Sequence, residues 1–332
     1  MKHYNWNKDS YAAGFAYGNE LNKEHRNITE TLRMVKSDER RAFAQECRKC
    51  YETWYPSVLE EMQGLADAQQ IAVEELEQLL LCMYAFPLEI RCTCVAFRAV
   101  DGHVYLGRNS DFFTAMEEVY ESNLVAIPAR IAFIGNTTAC IQYEDGINAY
   151  GLAAGLTFIA PVCRKPGLHA GFLIRYVLEH CTCVKEALKA LQKLPIASAQ
   201  TITLADQKEM AVVECNCERI RIKASDSHVW ATNRFHDPDM LHYNVDDIDD
   251  MGSEIRWQTV ARAMQHPKRF SEGYMRQLLS GKLGFLCQYD RQRGGDTVWS
   301  SLYDVTAKQV WRSEGNPSSV PFEKDERLIF KG

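Results

Sequence analysis

The sequence lacks any apolar run long enough to span a bilayer. Its best candidate, NLVAIPARIAFIG, is interrupted by Pro128 and Arg130 and reads better as strands. It also lacks a basic excess. A net charge of −6 argues against nucleic acid as the main partner, because phosphate neutralisation needs clustered cations. The opening residues, MKHYNWNKDSYAAG, have no apolar core of the kind a secretion signal carries, so the expectation is a cytoplasmic protein that does not engage membranes. There are no internal repeats, no flexible linker and only 10 prolines. What is present is a globular composition, 46% hydrophobic and 25% charged, with 332 residues to build one large domain or two ordinary ones.

Cysteine is abundant, with twelve in the chain, yet a chain of this size does not need disulfide staples. Cys47 and Cys50 in CRKC have zinc-knuckle spacing, but no second pair stands at a matching separation. The pairs Cys92/Cys94, Cys181/Cys183 and Cys215/Cys217 are spaced by one residue and read as buried thiols packing as small apolar side chains. The reading is therefore reduced thiols, no metal and no cofactor.

Residues 1 to about 85 carry apolar side chains at helical spacing, and Pro56 should break the second helical stretch or open a new helix at its first turn. Leu76, Leu79, Leu80 and Met83 would line one face. From about Cys92 the pattern becomes short β-rich runs, including NLVAIP, RIAFIG, TTACIQYE and GLAAGLTFI. Helices follow at HAGFLIRYVLEH and VKEALKALQKL, then strands at QTITLAD, EMAVVECN, RIRIKAS and HVWATN. The helix SEIRWQTVARAMQ precedes two last strands, TVWSSLYDVT and KQVWRSEG. Strands in blocks with helices in blocks between them imply a layered α+β fold.

The most informative stretch is RCTCVAFRAVDGHVYLGRNSDFF, residues 91–113, in which Asp101-Gly102 is a strong hairpin signal. A two-residue turn there puts Cys92 directly opposite Asp111, on one face of the hairpin. Arg108 would then face away, unless a bulge near Gly107 turned it to the cysteine's side. A carboxylate alone raises a thiol pKa, whereas a guanidinium favours the reactive thiolate. No histidine lies on the hairpin near Cys92. One arrangement needs none: if the Arg91–Cys92 bond is cut, the freed α-amine of Cys92 can act as the general base, oriented by Asp111.

Cys92-Thr93 followed by GRNSD ending at Asp111 resembles the N-terminal nucleophile hydrolases of the bile salt hydrolase and penicillin V acylase group. It also resembles the related acyl-coenzyme A:isopenicillin N acyltransferases. The likeness continues in DGINAYGLAAGLTF (145–158), in VWATNRF with Asn233, in GSEIRWQTVARAM with Arg256, and in SSLYDVTAKQVW. YAAGFAYG and YPSVLEEMQGLADAQQI look like the propeptide chain of the acyltransferase branch. The resemblance implies a four-layer αββα sandwich and self-cleavage into pieces of about 1–91 and 92–332 that stay associated. It implies a cysteine nucleophile acting on a linear small-molecule amide, with coenzyme A thioesters as co-substrates at most. By the same resemblance Arg108 holds the thiolate, Arg256 supports Asp111 or substrate, and Asn233 with a backbone N–H near Thr157 forms the oxyanion hole. Two positions depart from the pattern. Arg91 precedes the nucleophile where small or acidic residues are common, and Thr157 stands where bile salt hydrolases carry an asparagine. Asn148 reads first as a turn residue and second as a substrate contact. Two rival readings stay open: a Cys–His hydrolase using one of the nine histidines, and an uncleaved non-catalytic protein that keeps the fold.

Overall fold

The computed structural model describes residues 1–26, 28–86, 91–246 and 251–331. The chain opens with a strand, β1 (Lys2–Trp6), then five helices: α1 (Ser10–Lys23), α2 (Thr29–Val35), α3 (Asp38–Trp54), α4 (Pro56–Gln69) and α5 (Val73–Leu80). Ser37 caps α3, its hydroxyl accepting the Arg40 N–H at 3.1 Å. Pro56 ends that helix and begins α4 in its first turn, where its missing N–H costs nothing. Leu76, Leu79 and Leu80 form the buried stripe on α5, and Met83 opens a short 3₁₀ turn, Met83–Ala85.

The hairpin strands are β2 (Arg91–Arg98) and β3 (Val104–Phe113). They are followed by β4 (Glu121–Val125), β5 (Phe133–Thr137), β6 (Asp145–Asn148) and β7 (Ala153–Phe158). Helices α6 (Ala170–His180) and α7 (Val184–Leu191) precede β8 (Gln200–Ala205), β9 (Met210–Cys215), β10 (Ile220–Ser225) and β11 (His228–Ala231). Last come α8 (Ser253–Met264), α9 (Glu272–Leu279), β12 (Gly295–Asp304), β13 (Gln309–Ser313) and β14 (Glu323–Asp325). One sheet has the order β1-β4-β5-β6-β7-β8-β9-β10, and the second has the order β11-β2-β3-β12-β13-β14.

Three apolar clusters define the layers. Cys94, Ala96 and Leu106 of the second sheet pack on Ile134, Ile147 and Ala205 of the first, so the sheets are stacked face to face. Helices α1 and α3 to α7 cover the outer face of the first sheet through Tyr17, Leu65, Leu80, Phe172 and Ile174. Helices α8 and α9 cover the second through Val260, Met275 and Leu279 against Val95 and Phe97. The fold is an α+β, four-layer αββα sandwich. Among the described residues no helix is long and apolar enough to cross a membrane, and none of the twelve cysteines is in a disulfide.

Several expectations need correction. The N-terminal segment is not wholly helical: β1 pairs parallel with β4 and so extends the first sheet. TTACIQYE is not a strand. Cys140 takes a left-handed φ of 58°, which breaks the extended run after β5. Strands β6 and β14 and helix α9 were not anticipated.

Candidate functional site

The hairpin register differs from the expected one by a single residue. The loop has three residues, Val100, Asp101 and Gly102, closed by the Ala99 N–H on the His103 carbonyl at 2.7 Å. Gly102 supplies the left-handed conformation, φ 90°, that such a loop requires. Cys92 therefore faces Ser110, and Asp111 faces Arg91. Because successive side chains alternate, Arg108 now lies on the cysteine's face without any bulge. Gly107 has a different purpose: a Cβ there would fall 2.7 Å from the Met275 sulfur, so it lets α9 pack closely on β3. The ladder irregularity that does occur is on β12, between Thr297 and Trp299.

On the face toward the first sheet, Arg108 donates from Nη2 to the Cys92 sulfur at 2.8 Å. Its other contacts are Asp145 at 2.9 Å, Glu144 at 3.1 Å and the Leu156 carbonyl at 2.8 Å. Burial alone would favour a neutral guanidinium, but Cys92, Asp145 and Glu144 outweigh it and hold Arg108 charged. Burial pushes the Cys92 thiol up; Arg108 pulls it down, Glu144 and Asp111 push it up again, and the Phe158 backbone N–H lowers it. The balance is about 11. The thiol is fully enclosed.

On the opposite face, toward α8 and α9, Asp111 accepts from Thr297 at 2.6 Å and Tyr289 at 3.0 Å, and lies 3.6 Å from Arg256. Burial raises the Asp111 carboxyl, while Arg256 opposes that rise. Arg256 stands in the first turn of α8 and reaches the backbone of Cys92. It donates to the Cys92 carbonyl at 2.6 Å, to Thr93 Oγ1 at 2.9 Å and to Asn233 Oδ1 at 2.9 Å. That same Oδ1 accepts the Cys92 N–H at 2.8 Å. Two donors on one atom identify it as the oxygen. The Asn233 amide nitrogen donates to the Phe158 carbonyl at 2.7 Å.

Cys92, Arg108, Asp111, Asn233 and Arg256 thus meet around one residue. Thr157 is adjacent, but its hydroxyl bonds Thr201 and the Thr232 carbonyl, and the backbone N–H facing the sulfur belongs to Phe158. Asn148 is not brought in. It braces the β6–β7 turn through the Tyr150 and Leu152 N–H groups and donates to the Leu178 and Cys181 carbonyls. Among the described residues no histidine hydrogen-bonds Cys92, and no group of three or more His, Cys, Asp or Glu side chains is arranged to hold a metal ion. Sequence reasoning missed Glu144, Asp145, Tyr289 and Thr297. The acidic pair at the head of EDGINAYG was the available signal.

The sequence profile of the acyl-coenzyme A:6-aminopenicillanic acid acyl-transferase family matches residues 98–319. No curated protein sequence matches the chain. Among solved structures, the chain is similar to an N-acylethanolamine-hydrolyzing acid amidase ortholog of Caenorhabditis elegans. The two are 17% identical over 64% of this chain and 93% of that one, with a TM-score of 0.48. It is also similar to a mutant conjugated bile acid hydrolase from Clostridium perfringens, 13% identical over 72% and 98%, TM-score 0.49. A third likeness is to penicillin V acylase from Agrobacterium tumefaciens, 12% identical over 73% and 100%, TM-score 0.42. With the family profile spanning two thirds of its length, the chain belongs to the acyl-coenzyme A:6-aminopenicillanic acid acyl-transferase family, an enzyme family of acyl transfer at amides.

Proposed function

We propose that the chain is a self-processing cysteine amidohydrolase or acyltransferase, and that the uncut, sealed form is its precursor. The Cys92 sulfur attacks the Arg91 carbonyl, the amide nitrogen leaves as the Cys92 amine, and water hydrolyses the resulting thioester to free Arg91 as a carboxylate. The pieces, 1–91 and 92–332, remain together through β1 and the shared helical core.

In the processed enzyme the Cys92 sulfur attacks the carbonyl of a linear small-molecule amide, with coenzyme A thioesters as co-substrates at most. Its own α-amine takes the thiol proton and returns it to the leaving amine. Asn233 Oδ1 holds that nitrogen, and the Arg256 cation beside it disfavours the ammonium, keeping the amine available as a base. Arg108 steadies the thiolate, and Asp111 anchors Arg256. The Asn233 amide nitrogen and the Phe158 N–H, next to Thr157, are the donors at hand for the oxyanion. Acyl-cysteine then passes to water or to an acceptor amine. Twelve unlinked thiols suit a reducing compartment, the cytoplasm.

The observation that carries this reading is the 2.8 Å bond from the Cys92 N–H to Asn233, on the same residue whose sulfur sits 2.8 Å from Arg108. Mass spectrometry tests it. The wild-type chain yields a fragment starting at Cys92 that gains an acyl group from an acyl amide, and Cys92→Ala yields only intact, inactive chain. Cleavage that persists in Cys92→Ala, or loss of all activity on replacing a single histidine, contradicts it.

A further inference from the structure

Tyr84 comes from the N-terminal segment, in the 3₁₀ turn Met83–Ala85, and is fully buried. Among the described residues its hydroxyl has no hydrogen-bond partner. Its ring lies 5.9 Å from that of Phe158, whose backbone N–H faces the Cys92 sulfur, and 5.3 Å from that of His169. Glu144, Cys92 and Arg108 are near enough for their charges to bear on the phenol.

An enclosed hydroxyl without a partner is a cost that phenylalanine would avoid at the same volume. Two further buried polar atoms next to it also lack partners. His169 Nδ1 is one, and the His169 Nε2–H points at the Leu80 carbonyl, which leaves Nδ1 as an acceptor. Gln142 Oε1 is the other, and the amide of Gln142 contacts the Met83 sulfur at 2.6 Å. Unpaired buried polar atoms thus sit on Tyr84, on its ring neighbour His169, and on Gln142, which contacts the adjacent Met83. Burial, then Glu144 and Cys92, keep the phenol protonated, so it stays a donor.

We propose that Tyr84 is a catalytic residue supplied by the N-terminal segment: in the processed enzyme its hydroxyl donates a hydrogen bond to the carbonyl oxygen of the acyl group on Cys92. No proton changes hands; the phenol strengthens its bond as negative charge gathers on the carbonyl oxygen. The proposal rests on the self-processing reading above.

Tyr84→Phe keeps the ring and removes only the oxygen. The full chain of each form is treated with 4-nitrophenyl octanoate, and fragments, Cys92 acylation rate and KM are measured. Tyr84→Phe is expected to cleave as wild type does and to keep KM within about twofold, while acylation slows roughly 10- to 100-fold. The thioester carbonyl stretch of its acyl-enzyme moves to higher wavenumber, as loss of a hydrogen bond requires. Wild-type acylation matched by Tyr84→Phe, with an unmoved stretch, overturns the proposal and leaves the self-processing reading standing. A wild-type chain that neither cleaves nor acylates overturns both.

Discussion

The two faces of the β2–β3 hairpin treat one residue in different ways. Toward the first sheet, the Cys92 side chain meets a cation shared with two carboxylates, Glu144 and Asp145. Toward α8 and α9, the Cys92 main chain meets a cation balanced by one carboxylate, Asp111, and by neutral acceptors. The first face controls the sulfur and the second controls the nitrogen and carbonyl. The difference teaches that contact with the sulfur and positioning of the main chain are divided between the two faces, with the sheet between them; only a weaker charge effect, Asp111 raising the thiol, crosses it.

That separation can be broken by experiment. The largest effect belongs to Arg108→Ala, which leaves Glu144 and Asp145 buried without their cation; a cost of about 3–5 kcal/mol is expected in urea unfolding. Adding Glu144→Gln and Asp145→Asn restores more than half of it. An Arg108→Ala chain as stable as wild type contradicts the shared-cation picture. On the opposite face, Arg256→Gln loosens the grip on the Cys92 carbonyl and Asn233. Acylation should fall about 100-fold through misplacement, with the thiol titration unchanged. A shift in that titration would mean the faces are coupled.

A third test sharpens the contrast through pH. Thiolate is the reactive form, and the Cys92 thiol is raised to about 11 in the uncut chain. Its thiolate absorbance, taken as the difference between wild type and Cys92→Ala, should rise with pH with a midpoint near 11. The proposed cleavage would open the site and relieve the burial that raises the thiol, so the midpoint would fall. The same difference spectrum on uncut and cut chain decides it; identical midpoints would mean that the cut leaves the thiol as enclosed as before.

The smallest effect is expected away from both faces. Burial would raise the Glu24 carboxyl, but hydrogen bonds from Lys2, Tyr4 and Arg26 outweigh it and hold the group down to about 2. A folded pKa below the unfolded 4.5 stabilises above 4.5, and the contribution is lost as pH falls toward 2. Amide exchange over Lys2–Trp6 should quicken in that window while β2 and β3 stay protected.

Much of this arrangement was legible because the hairpin carries its own turn signal and the downstream segments keep their order. The register was not. Val100 is a β-branched residue that alternation assigns to the strand, yet it is the first residue of the loop and 69% exposed. Counting it in the strand gave Cys92 the wrong partner and called for a bulge that the structure does not contain. Glu144 and Asp145 were missed for another reason: the acidic pair stands out in EDGINAYG, but it reaches Arg108 across the gap between two sheets, and local pattern does not name such a partner. Strand β1 was hidden by its length, since five residues of alternating exposure beside a long helical run give little periodicity to read. Helix α9 is equally short, with eight residues.

Strand β1 also decides what a severed molecule would be. Its pairing with β4 stitches the first few residues into a sheet otherwise built from the far side of the cut. The two fragments would co-purify as an obligate heterodimer, parting only in denaturant. Either one expressed alone would present a raw sheet edge or bare helices, and would aggregate.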